Sequence, residues 1–142
     1  MYDEPKLIHA GQALDDRGAL AFCNDFNLAG VVRFYAITNH RQGFVRAWHG
    51  HWHSDTFLWP MSGVWRVVGV LKDGKPGQRL VSHVIDRTAI FHVPAGWYHG
   101  HQNLTTKAVL GVFSTATIEQ AHDDDHREPW DWIGAEVWET VP

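Results

Sequence analysis

The chain alternates short apolar runs with turn-forming residues, a pattern typical of β-strands. About eight runs are rich in β-branched and aromatic residues, and no segment carries the period of a long amphipathic helix. The runs cover residues 19–25, 31–39, 43–52, 55–61, 64–71, 79–85, 89–93 and 108–115. Turn signals separate them at Ser62-Gly63, 72–77, Asp86-Arg87 and 94–96. This spacing predicts an all-β sandwich or barrel.

The length and composition predict one domain over residues 1–142. Hydrophobic residues make up 44% of the chain, which is enough for a core that needs no metal or disulfide to hold it together. The single cysteine, Cys23, excludes an internal disulfide and fits a reducing compartment. No apolar run reaches the roughly 18 residues of a membrane helix, and the N-terminus lacks the layout of a signal peptide. We therefore expect a cytoplasmic protein that does not enter a membrane.

The charge balance argues against a nucleic-acid partner. Twelve basic and 16 acidic residues give a formal net charge of -4, which provides no basic footprint for a phosphate backbone. An anionic ligand would have to be bound by a few placed arginines, because the chain has no general positive field.

The C-terminal segment 122–139 combines charged residues with three tryptophans. A solvated linker rarely carries Trp130, Trp132 and Trp138 together, because an indole is a large apolar group. We expect this segment to fold back over the barrel, burying the indoles and bringing Asp131 near the mouth.

Histidines are the main candidates for chemistry. Five of the 11 fall in two short windows, 49–53 and 99–101. His49 and His51 share a face on a strand, and His99 and His101 share one if their segment is also extended. The residues alone leave three interpretations: a metal site formed by these three imidazoles, a proton-abstracting base with its neighbours, or histidines that only satisfy hydrogen bonds.

The two windows resemble the signature motifs of the cupin superfamily, which are small jelly-roll β-barrels. The first reads Gly43, five residues, then His49-x-His51, and the second runs from Pro94 to Asn103 as P-x-G-x-x-H-x-x-x-N. Metal-binding cupins add a glutamate after the second histidine. Thr56 stands at its expected position here, so the ligand that would neutralise the metal's charge is missing.

Five segments in order resemble the dTDP-4-dehydrorhamnose 3,5-epimerase family. They are residues 15–26, 31–40, 44–51, 93–103 and 123–132. The resemblance implies a cupin jelly-roll barrel with a C-terminal segment packed back on it, and a homodimer. It also implies an enzyme without a cofactor that acts on a nucleotide-linked 4-keto-6-deoxy sugar, in deoxysugar or cell-surface polysaccharide biosynthesis.

The same resemblance suggests roles for individual residues. His49 matches the histidine that removes a proton next to the sugar carbonyl, and Asp131 matches, loosely, the carboxylate that supports it. His99 matches a histidine that contacts the sugar. A base of this kind must be a neutral imidazole with a pKa near neutrality.

Two arginines match family positions that approach the substrate. Arg46 precedes His49 on the same strand, and Arg17, which in the family can come from the partner subunit, lies in the D-x-R-G element at 15–18. A guanidinium suits a diphosphate because its donors form a rigid fork. Arg46 and His49 are three residues apart and would face opposite ways on a regular strand, so either a bulge at Ala47 reorients them or Arg46 has another role.

The chain departs from the epimerases at two functional positions. It has no lysine between residues 49 and 63 and no tyrosine after Tyr98, so the usual enolate stabiliser and catalytic acid are absent from their places. We take Tyr98 as the replacement acid, and Tyr35, His51 and Thr56 as replacement substrate contacts.

The shorter sugar-nucleotide 3,4-ketoisomerases are a second resemblance. They share the chain's length, its H-x-H strand and an R-x-Y strand like residues 33–35, and their histidines shuttle protons between adjacent carbons. Both resemblances imply proton abstraction beside a carbonyl by a histidine on the strand at 45–52. A metal-dependent cupin using His49, His51 and His99, and a cupin that binds a sugar nucleotide without turning it over, remain as alternatives.

Overall fold

The computed structural model describes residues 3–73 and 79–140, and over these residues the chain is almost entirely β-strand. The strands are β1 Lys6–His9, β2 Gly11–Asp15, β3 Gly18–Phe22, β4 Arg33–Ile37, β5 Val45–His51, β6 Thr56–Ser62, β7 Trp65–Leu71, β8 Leu80–Ile85, β9 Ala89–Val93, β10 Trp97–Asn103, β11 Val109–Ser114 and β12 His126–Arg127. One α-helix, α1, spans Ile118–Asp123, and a 3-10 turn spans Ala135–Trp138. None of the helices in this part of the chain has the length and hydrophobicity to cross a membrane.

Two five-stranded antiparallel sheets enclose the core. One has the order β1-β9-β6-β11-β4 and the other β12-β5-β10-β7-β8, while β2 and β3 pair with each other as a separate hairpin. Leu58, Phe91 and Leu110 of the first sheet pack in one buried cluster with Trp65 and Trp97 of the second. The predicted all-β sandwich is confirmed.

The outer face of the second sheet is also buried, because the C-terminal segment covers it. Trp138 and Ile133 pack against Trp48, Val68 and Tyr98 on that face. This confirms that the tail folds back on the barrel, as predicted. One indole of the tail behaves differently, since the side chain of Trp130 remains 47% exposed.

The predicted strands match the structure at their centres, and each of the eight predicted runs contains a strand. The prediction missed β1, β2 and β12, and it treated β10 as extended only conditionally. It also missed α1, whose N-terminus is a capping box: Gln120 N–H donates to the Thr117 hydroxyl, and Thr117 N–H donates to the Gln120 side chain. The turn predicted at 72–77 falls largely on 74–78, outside the described residues.

Candidate active site

Four histidines from two adjacent strands point into the interior between the sheets. His49 and His51 lie on β5, and His99 and His101 lie on β10, where His99 is paired directly with His49. The ring centroid of His99 is 6.0 Å from that of His49 and 6.1 Å from that of His51. Because side chains alternate along a strand, the extended conformation of β10 brings the two sequence windows together as one cluster.

The histidine cluster lines a cavity of about 330 Å³ that opens between β4, β5 and the segment 118–127. A cavity of this size falls in the range of small-molecule sites. Its other lining residues are Arg33, Tyr35, Ile37, Arg46, Ile118, Ala121, His122, Asp125 and Arg127.

A bulge in β5 allows Arg46 to share this cavity with His49. On β10 His99 pairs with His49, but His101 pairs with Arg46, so three steps along β5 match two steps along β10. The extra residue reverses the alternation, which is the reorientation that the bulge hypothesis at Ala47 required. The Arg46 Nε–H donates to Asn39 Oδ1 at 2.7 Å, which orients the guanidinium.

The His51 ring is held by a backbone carbonyl. Its Nδ1 lies 2.8 Å from the carbonyl oxygen of Asp124, and a carbonyl can only accept a hydrogen bond. The proton of the neutral ring is therefore on Nδ1, and the lone pair is on Nε2.

Three of the four interior imidazoles, those of His49, His99 and His101, are biased toward the neutral form. Burial lowers the pKa of His49, the positive charge of Arg127 lowers it further, and Asp125 opposes both. Burial lowers the pKa of His99 well below its usual value and, helped by His49 and Arg46, lowers that of His101 to about 3. At neutral pH these rings are uncharged, which is the state that a proton-abstracting base requires.

His99 is not a satisfied structural histidine. Both of its ring nitrogens are buried and lack a hydrogen-bond partner among the described residues. Buried polar atoms are nearly always paired, so a bound ligand is the natural partner for them.

Three arginines of the described chain line the cavity of an otherwise acidic protein. Arg46 was predicted from the sequence, whereas Arg33 and Arg127 were missed. Arg33 could have been predicted from the sequence, because it lies two residues from Tyr35 on a strand and the two side chains must point to the same face. Arg127 could not have been predicted, because its position opposite His49 depends on the pairing of β12 with β5.

Tyr35 is the predicted substrate contact that the fold places beside the histidines. It lies on β4 in the wall of the cavity, with the Arg33 guanidinium 5.0 Å from its ring centroid. Burial raises the pKa of Tyr35, and Arg33 counteracts this only in part. The phenol is therefore protonated at neutral pH and can donate a proton or a hydrogen bond.

The other predicted site residues lie outside the cavity wall. Tyr98 precedes His99 on β10 and so faces the opposite side, where its ring packs against Trp52 and Trp132. Thr56 is buried at the start of β6, and Asp131 is exposed in the tail.

Arg17 occupies the tip of the β2–β3 hairpin. Its side chain is 86% exposed and pairs with Asp15 of the same hairpin.

The carboxylate beside His49 is Asp125, which sequence reasoning did not identify. It lines the cavity and forms an ion pair with Arg127, from Oδ2 to Nε at 3.1 Å. It lies just after α1, so only the return of the 118–127 segment to β5 brings it to the histidines.

Over residues 3–73 and 79–140, no three His, Cys, Asp or Glu side chains are arranged so that they could hold a metal ion.

Two facing antiparallel sheets around a cavity are the architecture of a cupin jelly-roll barrel. The chain belongs to the family described as FdtA: WxcM-like, C-terminal, whose model matches residues 3–131. No curated protein shows significant sequence similarity to it.

Solved structures with the same fold include enzymes that act on dTDP-sugars. A dTDP-4-dehydrorhamnose 3,5-epimerase from Bacillus anthracis str. Ames, with TDP and PPi bound, has a TM-score of 0.73 and 17% identity, covering 89% of this chain and 79% of that chain. The 3,4-ketoisomerase QdtA from Thermoanaerobacterium thermosaccharolyticum, in complex with TDP, has a TM-score of 0.66 and 18% identity, covering 94% of both chains. ChmJ, a 3'-monoepimerase from Streptomyces bikiniensis in complex with dTDP-quinovose, has a TM-score of 0.74 and 17% identity, covering 92% of this chain and 72% of that chain. These similarities confirm the predicted cupin jelly-roll fold.

Proposed function

We propose that this protein is a cofactor-independent isomerase or epimerase of a nucleotide-linked 4-keto-6-deoxy sugar, acting in deoxysugar or cell-surface polysaccharide biosynthesis. The observation that carries the proposal is the cavity that combines uncharged histidines on β5 and β10 with Arg33, Arg46 and Arg127. The imidazoles suit proton transfer at carbon, and the guanidinium groups suit a diphosphate. Membership of the family and the dTDP-sugar enzymes that share the fold support the same class of substrate.

In the proposed reaction His49 removes a proton from the carbon next to the keto group, which leaves an enolate. Return of a proton to the same carbon from the other face gives an epimer. Three further transfers give the isomeric ketone instead: the enolate oxygen gains a proton, the neighbouring hydroxyl loses one, and the former carbonyl carbon gains one. The lone pair on His51 Nε2 makes His51 the natural base for the hydroxyl proton.

We assign the proton donor to Tyr35 instead of Tyr98. Tyr35 lines the cavity and its pKa is raised by burial, so it remains protonated at neutral pH. Tyr98 faces the tryptophans on the opposite side of β10. Tyr35 would deliver a proton to the enolate or stabilise its oxygen by a hydrogen bond.

We also propose that the protein acts as a homodimer in which Arg17 reaches the partner's site. Within its own chain Arg17 contacts Asp15 at the tip of the hairpin. In this hairpin Leu14 is 75% exposed and Leu20 is 65% exposed. An isolated two-stranded hairpin is only marginally stable in water. A second copy would cover these leucines and complete the positive lining of the cavity.

Deuterium incorporation tests the activity directly. We expect a dTDP-4-keto-6-deoxy sugar, incubated with the protein in heavy water, to gain deuterium at a carbon next to the carbonyl. NMR of the product then distinguishes epimerisation from ketone transfer. His49→Asn should abolish incorporation without affecting dTDP binding by calorimetry.

The remaining alternatives give different results in the same assay. Binding of dTDP with no deuterium incorporation, for any nucleotide-linked 4-keto sugar offered, indicates a binding protein without turnover. Stoichiometric iron or zinc in the purified protein, with activity lost on chelation, indicates a metal-dependent cupin.

A further inference from the structure

We propose that Asp124 is a positioning residue that sets the tautomer and the orientation of the His51 ring. Its effect on catalysis rests on the proposed function, whereas its effect on the ring does not. Asp124 follows α1 and is only 8% exposed, although it is a charged residue. It does not line the cavity, and it reaches the cavity through its hydrogen bond with His51.

Asp124 is bound to the end of β5 by two different parts of the residue. Its backbone carbonyl accepts the hydrogen bond from His51 Nδ1 at 2.8 Å. Its carboxylate accepts the backbone N–H groups of Trp52 and His53, both at 2.9 Å from Oδ2. The residue thus holds the backbone immediately after His51 and the ring of His51 itself.

His126 makes a third contact with Asp124, and we call this set of hydrogen bonds around Asp124 the clamp. His126 Nε2 lies 2.9 Å from Asp124 Oδ1, and the His126 ring stacks on Trp52 with centroids 4.3 Å apart and an interplanar angle of 12°. His126 also pairs with Gly50 in the β12–β5 ladder. Residues 124–126 are therefore tied to β5 on both sides of the His51 position.

The carboxylate remains ionised in this environment. Burial alone would raise the pKa of Asp124, but the hydrogen bonds from Trp52, His53 and His126 outweigh it, and the pKa is lowered. Hydrogen bonds to an ionised acceptor are about twice as strong as neutral ones. The clamp is therefore strong enough to fix the carbonyl that receives the His51 proton.

The consequence concerns which nitrogen of His51 can accept a proton. With Nδ1–H donated to the Asp124 carbonyl, the lone pair is on Nε2. When the clamp is removed, the carbonyl is no longer held and the ring exchanges between both tautomers and several orientations. A small misplacement of a reacting group costs on the order of 100-fold in rate.

Nitrogen NMR of 15N-histidine-labelled full-length protein tests the inference without any substrate. We expect the signals of the neutral wild-type His51 ring to show a protonated Nδ1 and an unprotonated Nε2. Asp124→Ala should give a mixture of tautomers, and Asp124→Asn, which can still accept hydrogen bonds, should largely restore the wild-type pattern. Asp123→Asn, an exposed neighbour outside the clamp, is the matched control and should change nothing.

Kinetics and stability separate positioning from a purely structural role. Asp124→Ala should slow deuterium incorporation by at least about tenfold while the affinity for dTDP stays within about twofold. The inference is overturned if wild-type His51 carries its proton on Nε2. It is also overturned if Asp124→Ala lowers the unfolding free energy but leaves the tautomer and the exchange rate unchanged. If the tautomer shifts as expected but the wild type shows no exchange, the positioning role stands and the proposed function fails.

Discussion

Arg127 lies directly opposite His49 in the short ladder between β12 and β5. After burial, its positive charge is the next cause of the lowered pKa of His49, and the neighbouring Asp125 acts in the opposite direction. The C-terminal segment therefore adjusts the basicity of the proposed catalytic base, in addition to covering the barrel.

Removing either charge should move the acid limb of the pH–rate profile. Arg127→Gln removes a positive charge, so the pKa of His49 should rise and activity should be lost at a higher pH than in the wild type. Asp125→Asn should lower the same pKa and extend activity to lower pH. The check is the pH dependence of kcat/KM for deuterium incorporation, and shifts in the same direction for both variants would contradict the electrostatic account.

His101 should make the fold sensitive to acid. Its pKa is about 3 in the folded chain but 6.5 when unperturbed, so between these values the unfolded state binds more protons. The unfolding free energy should therefore fall as the pH falls from about 6.5 toward 3, by up to about 1.4 kcal/mol per pH unit for this residue, with His99 adding in the same direction.

Urea unfolding at pH 7, 6 and 5 measures this dependence. His101→Leu should flatten it, whereas His40→Gln, at an exposed loop position, should leave the slope unchanged. An unchanged slope in His101→Leu would mean that other groups cause the acid sensitivity.

Tyr35→Phe should separate catalysis from binding. Loss of the proton donor should reduce deuterium incorporation or product formation by about 100-fold, a typical value for general acid catalysis, with little change in dTDP affinity. Tyr98→Phe should alter turnover by less than about threefold, because its ring packs between Trp52 and Trp132 away from the cavity. The opposite ranking of the two variants would restore Tyr98 as the acid.

Arg46→Gln should weaken nucleotide diphosphate binding. A hydrogen bond to a charged group contributes about 1.5–3 kcal/mol, so the Kd for dTDP measured by calorimetry should rise roughly 10- to 100-fold. Arg87→Gln makes the same change in net charge on a residue that lines a different recess of the surface, and it should leave the Kd nearly unchanged. Equal effects of both variants would indicate a general field instead of a placed arginine.

Gly100→Ala should disturb the histidine cluster from the outer face of the sheet. A Cβ at Gly100 would lie 2.5 Å from Ala47 Cβ and 3.0 Å from the Trp138 ring, so β5 and β10 must move apart or the tail must shift. We expect a loss of about 1–3 kcal/mol in unfolding free energy, together with reduced activity. Gly111→Ala, whose Cβ would lie 3.3 Å from the Met61 side chain and from the Phe34 ring, should cost less in the same urea titration because these contacts are longer.

Several features could be predicted because they depend only on neighbours along the chain. Side-chain alternation placed His49 and His51 on one face, and it would also have shown that Tyr98 cannot share a face with His99. The capping box before α1 was equally readable in Thr117 and Gln120. In each case a local rule of backbone geometry is sufficient.

The β-rich class, the return of the tryptophan-rich tail and the strand that carries His49 and His51 could therefore be predicted from the sequence alone, because hydrophobic periodicity and motif spacing are local properties. The sequence did not reveal that Asp125 and Arg127, not Asp131, lie near His49, or that Asp124 holds His51. These contacts join residues more than 70 positions apart, and they depend on the pairing of β12 with β5 and on the burial of one face of the tail. The lowered pKa values of His49 and His99 follow mainly from their own burial between the two sheets, which no local pattern in the sequence specifies.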